Sequence, residues 1–508
     1  MNRKRNIIYD DHRSVGHRPD EGLERQFGAI LFCFALLLRL TVAGGYLNAY
    51  DTEWNLMWGM ELGDGFFSAY THVTSLDYPP LYLYPLYLVG RLMRLTEFAG
   101  YPPFRMLAIK CFPCLADSLT CAVLYRLGGR RNASAGMMAA ALWAVNPATV
   151  FNCAFWGQTD CVLICLAALL FEALAQKRVI ASGVLFGVMC ATKLQGLYLT
   201  PVVGMEILYI CFGNLRDGRF LQYMRSGRIW SDRRWQRGAK QFLRFAVAVG
   251  GTFAVIYLPF MIGGAIASSD RVAGFFQPLT VYADGVDKYP YITMNADNVY
   301  MLLGLNGVSD DIRFLPGVSV SLLGKFFLLA AVAAVPAVYL RGKRHSHWLA
   351  AYMLTECIFM LTCRQHERYQ IITLLFLMGG FLQLADRRLL TLFSLQSAVI
   401  FFNQARVLGS VLERTGWWEG YRTGRRATNQ SMIPAQQAVI SNGAWWVRHH
   451  YDFAVWNAFF NVCLMAVSLT LVLRYLFNRN GRIMQRNFLQ WIFPRDDRER
   501  YTKRRSAK

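Results

Sequence analysis

The chain has 508 residues, of which 55% are apolar and 17% charged, and its formal net charge is +22. Its mean hydropathy is positive, and long runs carry almost no charge, which is typical of a polytopic membrane protein and argues against a series of soluble domains. The Lys and Arg residues gather between the apolar runs and at both ends, as in cytoplasmic loops that obey the positive-inside rule. This distribution favours a membrane protein over one that binds nucleic acid.

The apolar runs predict an all-α polytopic membrane protein with about 12 to 13 transmembrane helices. The predicted spans are residues 27–46, 79–95, 104–127, 133–153, 159–175, 179–192, 196–212, 242–262, 318–340, 348–362, 369–384, 389–402 and 453–476. They divide the chain into a cytoplasmic tail at 1–26, a main transmembrane domain at 27–403, an outer loop with the last span at 404–476, and a basic cytoplasmic tail at 477–508. The two long outer loops of the main domain are 46–78 and 263–317.

The basic segments between the spans predict which loops share a side of the membrane. Arg and Lys residues precede the first span, which places the N-terminus inside and the loop 46–78 outside. The basic stretch 126–131 also belongs inside, and this leaves 79–95 without a full crossing. Either 79–95 re-enters the membrane or the 126–131 turn is an exception, and the sequence leaves both open. Cys111 and Cys114 form a C-x-x-C in an apolar run, where packing is favoured over a zinc or redox site.

The first outer loop combines carboxylates with large aromatic side chains at the edge of an apolar run. Asp51 opens the run D-T-E-W-N-L-M-W, which includes Glu53 and Trp54, and the loop ends in Asp77 and Tyr78 before two prolines. Charged groups beside amphipathic aromatics at a lipid boundary are typical of a site where a polar reaction meets the membrane. The alternative for Asp51 is that it simply caps a helix. We interpret the loop as part of an active site.

Three further polar motifs fall on the same predicted side as Asp51. They are the run F-W-G-Q-T-D at 155–160, T-K-L-Q at 192–195 and R-Q-H-E-R-Y at 364–369. Ionisable residues at membrane depth are costly unless they face a cavity or a partner, so these motifs predict a shared cavity. The cations among them, Lys193, Arg364, His366 and Arg368, suit a phosphate group. His366 with Glu367 or Asp160 could alternatively ligate a metal, but no spacing such as H-E-x-x-H supports a divalent metal.

Together these motifs resemble the multispanning GT-C glycosyltransferases. The ordered set is Asp51, D-Y-P-P-L at 77–81, W-G-Q-T-D at 156–160, T-K-L-Q at 192–195, N-A-D-N at 295–298 and H-E-R-Y at 366–369. Within that superfamily the chain is similar to bacterial proteins related to the second mannosyltransferase of GPI-anchor synthesis. The resemblance implies a GT-C helical bundle with short juxtamembrane helices in the first outer loop, and it makes 27–403 the catalytic domain.

The resemblance also implies a role for each matching residue. Asp51 corresponds to the catalytic carboxylate of the family's first outer loop, which would act as general base in an inverting single displacement. The donor phosphate would be held by the four cations named above. The sugar and acceptor would be bound by Glu53, Trp54, Asp77, Tyr78, Trp156, Gln158, Asp160, Gln195, Asn295, Asn298 and Glu367.

The expected donor is a hexose, mannose first, carried on polyprenyl phosphate, and the expected acceptor is a hydroxyl of a glycan, glycolipid or protein on the outer side. Membrane lipids are the other expected partners, and no other cofactor is implied. A bacterial plasma membrane is favoured over endoplasmic reticulum. The alternatives are a secondary transporter or flippase for a lipid-linked or anionic solute, and a catalytically inactive scaffold. A transporter is expected to show internal repeats, and none is evident in the sequence.

Overall fold

The structure is a computed structural model that describes residues 21–45, 50–130, 132–213, 233–414 and 451–477. It is built almost wholly of helices, which confirms the predicted all-α polytopic fold class. The helices are α1 (Glu21–Ala43), α2 (Tyr50–Glu61), α3 (Ala69–His72), α4 (Pro80–Leu95), α5 (Pro102–Gly129), α6 (Ala133–Ala144), α7 (Pro147–Val150), α8 (Asp160–Ala175), α9 (Val179–Cys190), α10 (Thr200–Phe212), α11 (Arg233–Ala267), α12 (Arg271–Asp287), α13 (Val299–Leu302), α14 (Val320–Arg341), α15 (His347–Leu361), α16 (Ile372–Leu384), α17 (Arg387–Arg414) and α18 (Tyr451–Phe477).

Very short strands and tight helical turns complete the fold. Strand β1 (Thr293–Met294) pairs in parallel with β4 (Gln365–His366), and β2 (Arg313–Leu315) pairs antiparallel with β3 (Val318–Ser319). Short 3₁₀ turns occur at Leu62–Asp64, Phe66–Ser68, Glu97–Gly100, Leu194–Leu199 and Tyr369–Ile371, and a π-helical turn covers Phe151–Trp156. The short helices α2 and α3 lie in the first outer loop, where juxtamembrane helices were expected.

Within the described residues, six helices are long and apolar enough to cross a membrane, and a seventh span is formed if the bent pair Ala133–Ala144 and Pro147–Trp156 counts as one. Three more apolar helices are shorter: Val179–Cys190, His347–Leu361 and Tyr369–Leu384. Because a helix perpendicular to the membrane needs about 20 residues, these shorter helices require packing against neighbours. The predicted number of spans therefore stays a prediction.

Helices α1 and α5 run antiparallel and fix the two ends of the bundle. Near the start of α1, a Cβ on Gly28 would lie 3.1 Å from the ring of Tyr125 near the end of α5. Further along, Arg39 of α1 bonds to Asp117 of α5 at 2.8 and 2.5 Å. Helix α5 therefore begins at the end of the bundle where α1 finishes and Asp51 follows.

Helix α4 begins and ends at that same end of the bundle, so it does not cross. At its far end, Arg94 donates to the Met60 carbonyl oxygen at 2.5 Å and to Asp64 at 3.0 Å, both in the first outer loop. Helices α2 and α4 approach closely at Gly59. A Cβ at that position would lie only 2.5 Å from the Leu86 carbonyl oxygen, so the contact depends on glycine. Of the two alternatives that the sequence left open, the structure supports a 79–95 segment that stays on the Asp51 side.

The basic turns lie together at the opposite end. Glu172, near the end of α8, forms ion pairs with Arg126 and Arg130 at 3.2 and 3.1 Å. The backbone amides of Lys343 and Arg344 donate to the carbonyl oxygen of Leu476 at 2.7 and 3.1 Å, which places the turn after α14 beside the end of α18. These groupings agree with the loop partition predicted from the basic residues.

The expected long loop 263–317 contains a substantial helix. Asp270 caps α12 by accepting hydrogen bonds from Val272 and Ala273 at 2.9 and 3.1 Å. Gly264 of α11 and Gly274 of α12 meet backbone to backbone, so the two helices form a tight hairpin. The hairpin returns the chain to the Asp51 end, where the end of α12 borders the cavity described below.

A buried ion pair fixes the packing between the first helices. Arg39 and Asp117 are both fully buried, and Trp143 of α6 donates to the other oxygen of Asp117 at 2.9 Å. Arg39 also donates to the carbonyl oxygens of Ala35 and Ala144 at 3.0 and 2.9 Å. Because both charges find partners, this network is consistent with a membrane interior, and breaking either side would leave a buried charge uncompensated.

Candidate active site

A cavity of about 590 Å³ opens at the Asp51 end of the bundle. It is bounded by α2, the turn before α4, the segment after α9, the end of α12, the start of α14 and the segment between α15 and α16. The predicted site residues that line it are Asp51, Trp54, Asp77, Tyr78, Gln158, Lys193, Gln195, Arg364, His366 and Arg368. Segments far apart in the chain thus bring carboxylates, cations and aromatic rings to one space.

Asp51 is held by side chains from another part of the chain. Its Oδ2 accepts hydrogen bonds from Trp156 Nε1 at 3.1 Å and from Gln158 Nε2. Among the described residues, no hydrogen bond reaches the second oxygen, Oδ1. Because α2 begins at Tyr50, Asp51 lies in the first helical turn, and its observed bonds are to Trp156 and Gln158 rather than to the amides of its own helix. The carboxylate is therefore oriented with one oxygen left for another partner.

The segment that carries Trp156 and Gln158 has an unusual backbone. A π-helical turn ends at Trp156, and Gly157 follows with φ +80°. A Cβ on Gly157 would lie 2.7 Å from Thr52 Cγ2 and 2.9 Å from Lys110 Cγ, so only glycine fits there without a shift. Lys110 Nζ donates to the Phe155 carbonyl oxygen at 2.9 Å and fixes the end of the turn.

Aromatic rings form one wall of the cavity. The ring centroids of Trp54 and Trp58 are 6.0 Å apart, and Trp58 meets Tyr78 edge-on at 5.8 Å. Trp58 Nε1 donates to the Thr74 carbonyl oxygen at 2.9 Å, and the Tyr78 hydroxyl lies 3.2 Å from Thr159 Oγ1. With the polar atoms of Trp58 and Tyr78 engaged, these rings present rigid apolar surface beside Asp51.

Two cations face Asp51 across the cavity, and each is paired with a buried carboxylate. Lys193 Nζ bonds to Asp160 Oδ1 at 2.5 Å, and Arg368 Nη1 bonds to Glu367 Oε1 at 2.6 Å. Arg368 Nε lies 3.7 Å from Asp160 Oδ2, too far for a hydrogen bond, and neither atom has another hydrogen-bond partner in the described part of the chain. Arg368 Nε is thus buried against Asp160, and a ligand can meet this guanidinium only through the part of the side chain, 17% of its surface, that stays exposed.

Burial sets the protonation of the groups around this pair. Burial, together with Arg368, Lys193 and Lys288, lowers the pKa of His366 well below its usual value, so the imidazole is neutral at pH 7. Burial raises the pKa of Glu367, although the neighbouring Arg368 opposes that shift. Burial lowers the pKa of Lys193, and Asp160 opposes the shift. His366 can thus offer a hydrogen bond but not a charge.

Two of the predicted residues at the cavity hold outer segments in place. Arg364 bonds to Asp310 and Asp287, each at 2.7 Å, so its charge is already balanced. Asp77 pairs with Lys288 at 2.5 Å and so connects the first outer loop to the end of α12. We interpret both as residues that position the walls of the cavity.

Other predicted site residues lie away from the cavity surface. Glu53 pairs with Arg105 at the start of α5, 3.3 Å away. Asn298 caps α13 by accepting from Tyr300 and Met301, and Asn295 adopts φ +60° and receives a bond from Asn306 at 3.0 Å. Trp156, Asp160 and Glu367 are buried directly behind Asp51, Lys193 and Arg368. The structure therefore gives Glu53, Asn295 and Asn298 local bonding partners of their own.

Several cavity residues were not predicted from the sequence. They are Asn55, Tyr198, Lys288, Tyr289 and Lys325 among others. The run D-K-Y-P-Y at 287–291 was a usable signal, since a cation and two aromatics surround a proline in an outer segment. Lys325 is the one charged residue between Val320 and Leu340 of α14, and a cation inside such an apolar run is itself a signal for a functional position.

The described residues contain two groups that could hold a metal, and neither lines the cavity. One is Asp117 with Cys153 and Cys161, and the other is Glu206 with His345 and His347. Asp117 is already neutralised by Arg39. The suggested metal-ligating alternative for His366, with Glu367 or Asp160, is not among these groups.

Comparison with known protein families finds a match for the part of the chain that carries some of the cavity residues. Residues 77–209 match the model of glycosyltransferase family 87. The matched part includes the turn before α4, the W-G-Q-T-D segment and Lys193, whereas Asp51 and the 364–369 segment lie outside it. No curated protein matches the chain. With the helices long and apolar enough to cross a membrane, the family match supports a multi-pass membrane glycosyltransferase.

Proposed function

We propose that this protein transfers a hexose, mannose in the first instance, from a polyprenyl-phosphate carrier to an acceptor hydroxyl in the cavity beside Asp51. The observation that carries the proposal is that an oriented carboxylate and the cations Lys193 and Arg368 line the same cavity at one end of a membrane bundle. A sugar bonded to a lipid phosphate needs both kinds of group within one molecule's length.

Asp51 acts as general base in this mechanism. Its Oδ2 is fixed by Trp156 and Gln158, and its Oδ1 takes the proton of the acceptor hydroxyl. The acceptor oxygen attacks the anomeric carbon as the bond from that carbon to the phosphate oxygen breaks, and the phosphate keeps the electron pair. A single displacement of this kind inverts the anomeric configuration. General-base assistance of this type contributes about 10²- to 10⁴-fold.

Arg368 and Lys193 stabilise the departing phosphate. Their buried partners Glu367 and Asp160 hold the two cations in place before the donor arrives. The donor phosphate then accepts from the exposed part of the Arg368 guanidinium and from Lys193, which both line the cavity, and neutral His366 adds a hydrogen bond. Because phosphate is a stable anion, the leaving group needs positive charge more than a proton donor.

The far wall of the cavity suits a lipid chain. Leu194 and Tyr198 after α9 and Leu328 and Ile358 of the flanking helices line it. This part of the wall is apolar and reaches α14, whose outer face carries exposed Leu322, Phe326 and Leu329. This apolar wall, next to the exposed apolar face of α14, fits a polyprenyl tail and favours a lipid-linked donor over a water-soluble nucleotide sugar.

The test is transfer by purified full-length protein in proteoliposomes. Polyprenyl-phosphate mannose, glucose and arabinose are supplied in turn with glycolipid, glycan and peptide acceptors, and with a nucleotide sugar as the negative control. We expect transfer from one lipid-linked donor and an inverted linkage in the product by NMR. Movement of the lipid-linked sugar across the bilayer without any new glycosidic bond would overturn the proposal in favour of a flippase.

A further inference from the structure

Glu206, His345 and His347 form a cluster at the end of the bundle opposite Asp51. Glu206 lies on α10, His345 lies in the turn after α14, and His347 is the first residue of α15. His345 Nε2 is 2.7 Å from Glu206 Oε2, and His347 Nδ1 is 3.7 Å from Glu206 Oε1. One ligand atom from each of the three residues lies within 4.8 Å of the other two. Three metal-ligating side chains from two parts of the chain thus converge on one point.

The surroundings orient these side chains. The Tyr339 hydroxyl donates to Glu206 Oε2 at 2.8 Å. The His345 ring stacks on Tyr209 with centroids 4.3 Å apart, and the His347 ring packs on Phe171 at 5.6 Å. A hydrogen bond such as that from Tyr339 fixes the orientation of a ligating carboxylate in known metal sites, and the ring contacts restrict the two imidazoles. The His345 side chain is 22% exposed while that of Glu206 is 5% exposed, so the cluster is buried on one side and reachable from the other.

The charge of Glu206 needs a counterion. Among the described residues, no Lys or Arg pairs with this carboxylate, and its ionic partners are the two imidazoles. A buried carboxylate requires such compensation. A divalent metal ion supplies it and uses the lone pairs of both imidazoles. Two histidines and one glutamate are a ligand set that Zn²⁺ takes, with a water in the fourth position.

We propose that Glu206, His345 and His347 bind a divalent transition metal ion, Zn²⁺ in the first instance. Tetrahedral Zn²⁺ with ligands at about 2.0–2.1 Å holds its ligand atoms about 3.4 Å apart, a spacing that small side-chain rotations reach here. The ion joins α10 to the turn after α14 and to the start of α15. Because the 3₁₀ turn before α10 carries Gln195 and Tyr198 to the cavity, the metal steadies a helix that supports the site. This proposal does not depend on the proposed transferase activity.

The experiment uses full-length protein purified through a tag without histidine, stripped with chelator and titrated with Co²⁺. We expect one Co²⁺ per chain with the visible d–d absorption of a tetrahedral site, displacement by Zn²⁺, and a higher Tm with either ion. His345→Ala and His347→Ala should each weaken binding by at least tenfold, because each removes a ligand. His72→Ala on α3 is the matched control, since that histidine lies at the other end of the bundle. This variant should bind Co²⁺ as the wild-type protein does.

Two results would overturn the proposal, and the first needs no variant. Absence of a tetrahedral Co²⁺ spectrum in the wild-type protein would leave the cluster as a Glu–His ion pair. A thiolate-to-cobalt charge-transfer band, or Co²⁺ binding unchanged in the folded double variant His345→Ala/His347→Ala, would place the ion elsewhere, with Cys153 and Cys161 as the first alternative.

Discussion

Replacing Asp51 by Asn separates a general base from a structural carboxylate. Asn has the same shape, and its one oxygen can accept from Trp156 Nε1 and Gln158 Nε2 as Oδ2 does now. Two charge-assisted hydrogen bonds become neutral ones, which costs about 1 kcal/mol each. The amide nitrogen that replaces Oδ1 has no useful proton affinity, so the contribution of the base, about 10²- to 10⁴-fold or about 3 to 5 kcal/mol of barrier, is lost.

The assay is the initial rate of hexose transfer from the lipid-linked donor at saturating donor and acceptor. A thermal unfolding curve of each variant in the same detergent shows whether the fold is kept. Glu53→Gln is the matched control, because Glu53 lies on the same helix and pairs with Arg105 away from the cavity. We expect Asp51→Asn to lose at least a hundredfold in rate with a similar Tm, and Glu53→Gln to stay within a few-fold of wild type. An Asp51→Asn variant that keeps more than about a tenth of the rate would refute the assignment of the base.

Three further predictions follow from the geometry of the site. Arg368→Lys should raise the KM for the donor by at least tenfold while the KM for the acceptor changes little, because lysine lacks the planar guanidinium fork. An equal rise in both KM values would mean that Arg368 has a structural role only. Gly157→Ala should reduce the transfer rate at least tenfold, since a Cβ meets neighbouring atoms at 2.7 and 2.9 Å, whereas Gly250→Ala, with open space around it, should have no effect. The pKa of His366 is lowered in the folded protein. Below pH about 6.5 this histidine is therefore protonated in the unfolded chain but still neutral in the folded protein. The free energy of unfolding should therefore fall as pH drops below that value, by at most about 1.4 kcal/mol per pH unit. The variant His366→Gln should remove this pH dependence, and the control His72→Gln should keep it. An unchanged pH dependence in His366→Gln would contradict the lowered pKa of His366.

The apolar runs predicted most helices because length and composition decide whether a segment can cross a membrane. They could not decide whether 79–95 crosses the membrane. That answer depends on the bonds from Arg94 to Met60 and Asp64, which belong to another segment of the chain. Helix α12 was missed in the expected loop 263–317 because its support is tertiary. It is held by the close contact between Gly264 and Gly274, which no local pattern reveals.

The site was partly predictable because the charged motifs fell on one side of the predicted topology. That reasoning brought Asp51, Lys193 and Arg368 to a common cavity. It could not tell a cavity residue from a nearby structural one, as Asn298 shows by capping α13. Lys288 was not predicted at all, because its approach to Asp77 depends on the α11–α12 hairpin. Side-chain direction and long-range contact are the information that the linear sequence lacks.

The central claim is that a lipid-phosphate-linked hexose binds in the cavity beside Asp51. The most direct measurement is photo-crosslinking of the folded Asp51→Asn protein with a polyprenyl-phosphate hexose that carries a photoreactive group near the phosphate, followed by peptide mapping. We predict that the label concentrates on the peptides containing Lys193 and Arg368, and that unlabelled donor competes for it. Label spread evenly over the lipid-facing helices, or label that excess donor does not displace, would contradict the account.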